Sequence, residues 1–115
     1  MFYQTDIVEE KRKFERVAAS DCIIKNVNGF LHQSVMIADV SVEGMRLIRV
    51  PNGFALNGRP TLITISRKLF SEHYDLTILP CWRRKKDIYW DVGFYIHNPS
   101  DSWKRFVRRK KILTE

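Results

Sequence analysis

The chain reads as a series of short apolar runs of period two, followed by a single segment with helical spacing. The run from Asp21 to Val27 holds Cys22, Ile23, Ile24 and Val27 and stops at Asn28-Gly29. That pair favours a two-residue type I′ hairpin turn, whose central residues both need positive φ. It predicts antiparallel pairing with the next run, Leu31 to Val40. Gly44 to Val50 alternates Met45, Leu47, Ile48 and Val50 with Arg46 and Arg49, and ends at the turn-forming Pro51-Asn52-Gly53. Thr61 to Arg67, Tyr74 to Trp82 and Ile88 to Ile96 are rich in β-branched and aromatic residues, and Arg83 to Asp87 reads as the loop between the last two. Short strands at this spacing predict an all-β barrel or sandwich rather than a βαβ fold. After Asn98-Pro99-Ser100-Asp101, Trp103, Phe106 and Val107 fall at i, i+3 and i+4, which predicts one C-terminal helix packing that face on the strands. Residues 6 to 18 place acids before bases without a sustained apolar face, so they read as a charged lead-in rather than a core element.

Composition narrows this picture. At 115 residues, with 44% hydrophobic and 12% aromatic content, the chain fits one small globular domain with a single core. No apolar run approaches the roughly 18 to 20 residues of a membrane span, and the N-terminus lacks a basic segment followed by an apolar one, so a soluble cytoplasmic protein is expected. The net charge of +7 points to an anionic partner or to a solvated basic face. Half of the 20 basic residues lie in two clusters, Arg83 to Lys86 and Lys104, Arg105, Arg108, Arg109, Lys110 and Lys111. Cys22 and Cys81 lack CxxC spacing and histidine partners, which favours two buried reduced thiols and leaves a disulfide between them open.

Catalysis finds little support. His32, His73 and His97 are scattered without metal-ligand spacing, Ser41 has no nucleophile elbow around it, and the glycines at 53 and 58 match no phosphate loop. No enzyme, metal or cofactor is expected. Two short motifs support binding instead. Arg12 and Arg16 form an RxxxR word on the lead-in, and their planar, permanently charged forks suit phosphate oxygens, guanine O6 and N7, or stacking on a purine. Asp39, Ser41 and Gly44 form a DxSxxG word. A carboxylate accepts from the adjacent N1–H and N2–H groups of guanine, a pair adenine lacks. Ser41, two residues on in a strand, would share the face of Asp39, and Gly44 leaves room for a ligand or an unusual backbone angle.

In this order, with strands after them and a helix at the end, the two motifs make residues 11 to 107 resemble a PilZ domain, a bacterial receptor module for cyclic di-GMP. Residues 1 to 10 would be a tail, and 108 to 115 the basic end of the helix with its own tail. The resemblance implies a six-stranded antiparallel β-barrel with a C-terminal helix. It also implies that Arg12 and Arg16 hold phosphate and guanine, that Asp39, Ser41 and Gly44 cradle a guanine, and that the arginine arm folds over the ligand to signal to a downstream protein effector. Lys11 and Trp82 are further candidate contacts, Trp82 by stacking on a base. Two other readings compete. One is a small basic barrel that binds nucleic acid through its cations and Trp82 or Trp90, which the motifs disfavour. The other is a PilZ-like interaction module without ligand.

Overall fold

A computed structural model of the chain describes residues 15–28, 30–31, 35–54, 58–68 and 71–114. The period-two runs form strands β1 (Val17–Ala18), β2 (Cys22–Val27), β3 (Phe30–Leu31), β4 (Met36–Val40), β5 (Gly44–Val50), β6 (Thr61–Arg67), β7 (His73–Lys86) and β8 (Tyr89–His97), followed by helix α1 (Asp101–Thr114). All pair antiparallel in one sheet of order β1-β4-β5-β8-β7-β6-β2-β3. The fold is therefore mostly β-sheet with one C-terminal helix.

Closure is the point of correction. The sheet curls until Cα atoms of β2 and β4 come within 8 Å of each other. No ladder joins these two strands among the described residues, so the expected closed six-stranded barrel is an open, curled sheet. The edges that would have to meet are each partly occupied. β1 pairs with Val40 and Asp39 of β4, and β3 pairs with Asn26 and Val27 of β2.

Three further expectations change in the same way. Asn28 has φ 49°, as the hairpin turn requires, and Val27 faces Phe30 across it. Of the described residues in the run Leu31 to Val40, Leu31 alone pairs with β2, and β4 pairs with β5 instead. Arg83 to Lys86 belong to β7 rather than to a loop, and the reversal is confined to Asp87 and Ile88. Strand geometry lets Arg83 and Lys85 lie over the Trp90 ring at 4.5 and 4.8 Å, which favours an extended backbone in a run of like charges. The described part of the lead-in is structural as well: Val17 is buried in the core, as is Ala19 just after it.

Helix α1 closes the core with Trp103, Phe106 and Val107, all buried. Ser100 caps it, its Oγ accepting from the Trp103 backbone N–H at 3.2 Å. The helix runs on to Thr114, so the basic stretch after Val107 is helical and carries a network that docks it. Lys110 Nζ donates to Asp21 Oδ1 at 2.6 Å, Arg67 bridges Asp21 and Glu72 at 3.2 and 2.8 Å, and Arg109 reaches Glu72 at 3.2 Å. The Tyr74 hydroxyl donates to the same Glu72 at 2.9 Å, and Lys110 and Arg67 both lie over the Phe106 ring at 5.6 Å. Arg109, Lys110 and Lys111, the last paired with Glu15, thus serve packing as well as net charge.

Candidate functional site

The outer face of the sheet is organised by two bulges. Ile37 faces Leu47 and Asp39 faces Arg46, so Ala38 is an extra residue in β4. Likewise Pro80 faces Phe94 and Trp82 faces Gly93, so Cys81 is extra in β7. A side chain changes face at each step along a strand, and an inserted residue resets that alternation. One row across four strands, Val40, Met45, Phe94 and Pro80, points into the core, and the next row, Asp39, Arg46, Gly93 and Trp82, points out. With Ala38 and Cys81 kept in plain alternation, Asp39 and Trp82 would fall in step with the buried row.

Arg16 reaches this row from the arm. β1 lays Ala18 opposite Asp39, and Arg16 Nη1 donates to Asp39 Oδ1 at 3.1 Å. Arg46 Nε donates to the other carboxylate oxygen at 3.0 Å, so both oxygens of Asp39 accept from guanidinium groups. Gly44 stands beside them: a Cβ at this position would lie 3.3 Å from Ser41 Oγ and 3.7 Å from Arg16 Nη2. Its backbone angle is not the special one; the close packing is. Arg16, Asp39, Ser41 and Gly44, 28 positions apart at the extremes, therefore meet at one place.

Ser41 differs from expectation. β4 ends at Val40, so strand alternation does not extend to Ser41. It opens a tight turn in which its N–H donates to the Gly44 carbonyl at 2.7 Å and its buried hydroxyl points at the same oxygen from 3.4 Å. The turn is tied to the helix, because Trp103 Nε1 donates to the Val42 carbonyl at 3.2 Å. Arg12 and Lys11 lie outside the described residues.

Trp82 is held mid-strand rather than at a strand end, its indole filling the space over Gly93, where any Cβ would overlap the ring. Half-buried, it continues the row that Asp39 and Arg46 begin. Two residues without a motif complete the face. Arg46 spans from Asp39 toward Asp91, with Nη1 3.9 Å from Asp91 Oδ2, and Arg84 Nη2 approaches the same oxygen from 3.9 Å. The outer face thus offers guanidinium groups, a carboxylate, a close approach of backbone at Gly44 and an aromatic plane, all within one sheet surface. Trp90 is used differently: its ring lies under Arg83 and Lys85, and its Nε1 donates to Asn52 Oδ1 at 2.6 Å.

Among the described residues no group of three His, Cys, Asp or Glu side chains could hold a metal ion, and no helix is long and apolar enough to cross a membrane. Both cysteines are free thiols, Cys22 buried and Cys81 half-buried. A scan against protein-family models finds no match for this chain, and a search of curated proteins finds none either.

Proposed function

We propose that this chain is a non-enzymatic receptor for cyclic di-GMP, a PilZ-like adaptor of the bacterial cytoplasm whose arginine arm closes over the ligand and signals to a partner protein. The observation that carries the reading is the meeting of Arg16 with Asp39, Ser41 and Gly44, since motif words so far apart would have no reason to converge if each were only a local turn or a surface charge. In this reading Arg16, together with Arg12, takes the phosphodiester and stacks on a base, and Asp39 accepts from the Watson-Crick edge of guanine. Gly44, without a Cβ, lets Ser41 and Arg16 come close, and Trp82 offers a face for a purine on the same row.

The ligand acts as a switch. It binds better to the closed arm than to the open one, and that difference in affinity is what a partner detects. The nucleic-acid reading draws less support, because the cations beside Trp90 cover the ring that would stack on bases. Titration calorimetry with cyclic di-GMP tests the proposal: the wild type should bind in the micromolar range and Arg16→Ala should show no binding heat. A wild type that gives no heat would sink it.

A further inference from the structure

Asp91 is the one buried carboxylate among the described residues, its side chain only 6% exposed. No hydrogen bond from a described residue satisfies it: its two cationic neighbours, Arg46 Nη1 and Arg84 Nη2, both stop 3.9 Å from Oδ2, beyond hydrogen-bond reach. A buried acid left in this condition is costly, and natural interiors rarely keep one without use. Arg46 meanwhile stands between two acids and satisfies only one, donating from Nε to Asp39 at 3.0 Å.

We infer that Asp91 is the reserve acceptor for Arg46, which leaves Asp39 and closes onto Asp91 when a guanine edge takes Asp39. The inference rests on the receptor reading above. Guanine presents two adjacent donors and needs acceptor positions on Asp39 that Arg46 and Arg16 now fill. Arg16 is re-used on the ligand, but Arg46 would lose a charge-assisted hydrogen bond unless a second carboxylate were within a small rotation. Asp91 is that carboxylate. Arg84, whose side chain is 74% exposed, can yield its share of Asp91 to water. Asp91 is thus a positioning residue: it touches no ligand and sets how readily Asp39 is freed for guanine.

The test compares cyclic di-GMP with cyclic di-AMP by calorimetry on the wild type and on the isosteric Asp91→Asn. With the reserve acceptor weakened, affinity for the guanine ligand should fall about tenfold, the weight of one charged hydrogen bond. Affinity for the adenine ligand, which does not call on Asp39, should stay the same. An equal loss for both ligands would make Asp91 a structural residue and overturn the inference, as would no loss for either. A second arm needs no ligand. In a crystal structure of Asp39→Ala, Arg46 should move to within hydrogen-bond distance of Asp91, and an Arg46 turned to solvent would overturn the exchange. A wild type that binds neither dinucleotide would remove the receptor reading, while the Asp39→Ala structure would still decide the behaviour of Arg46.

Discussion

On the outer face Arg16, Arg46 and Arg84 surround Asp39 and Asp91; under the helix Arg67, Arg109 and Lys110 surround Asp21 and Glu72. The composition is the same, three cations to two acids, and the wiring is opposite. Beneath the helix Arg67, Arg109 and Lys110 reach Asp21 and Glu72 at 3.2 Å or less, a tyrosine hydroxyl adds a further donor, and the group packs on the Phe106 ring. On the outer face two of the four contacts are 3.9 Å long, and the group borders a closely packed glycine and a half-buried indole. A network that is saturated and backed by core fastens two elements together. One that is under-satisfied keeps capacity for something else. Charge counts along a sequence do not separate the two; distances do.

The largest expected effect breaks the fastening. Phe106→Ala removes a fully buried ring that carries Arg67, Lys110 and Tyr74, and should cost about 3 to 5 kcal/mol in chemical denaturation. Arg16→Ala on the other network should keep stability within about 1 kcal/mol of wild type, because a partly exposed ion pair contributes little. If the two variants lost equal stability, the distinction between the networks would fail.

A smaller effect separates them by pH. Burial works to raise the Asp21 carboxyl, but the Lys110 hydrogen bond and charge, with help from Arg67, outweigh it and bring the pKa below the ordinary 3.8. The Arg67 hydrogen bond, then that of Tyr74, lowers Glu72 from 4.5. Both folded pKa values are depressed, so the unfolded chain binds protons first as acid is added. The stability these groups contribute is complete above the ordinary values and is lost as pH falls through the folded ones. Thermal melts should therefore fall in midpoint below about pH 4, and Lys110→Gln should flatten part of that fall.

The smallest effect reports on the same region without unfolding the protein. Burial, followed by the Asp21 charge, pushes the Cys22 thiol up to about 11, and burial raises Cys81 as well, though its side chain is half-exposed. Iodoacetamide at mildly alkaline pH should label Cys81 before Cys22, read by mass spectrometry, and Lys110→Gln should slow Cys22 further, because the Lys110 charge works to lower its pKa against burial and the Asp21 charge. Faster labelling of Cys22 in the wild type would show that the helix edge is not fastened as described.

Much of this was legible in the residues. The β-branched runs located the six longer strands, Asn28-Gly29 located a hairpin, and the spacing of Trp103, Phe106 and Val107 gave the helix and its buried face. What escaped shares one cause. A bulge such as Ala38 or Cys81 has no composition of its own, since it exists only in the register between two strands. Arg46 and Asp91 belong to no motif because the contact between them joins two strands far apart in sequence. Arg83 to Lys86 looked like a loop because a run of cations repels itself, and the aromatic ring that offsets this repulsion lies across the hairpin. Ser41 was assigned to the Asp39 face by counting residues in a strand that ends one position earlier.

The extra residue in β4 also sets what the protein can lose. Deleting Ala38 alone would take the bulge out with its residue and leave Ile37, Asp39 and Val40 in plain alternation opposite Leu47, Arg46 and Met45, so the Asp39 carboxylate would keep the outer face and Val40 the core. The alanine thus supplies local bend and twist rather than the facing of the carboxylate, and a missing codon there is the one change of length in β4 that the motif would survive.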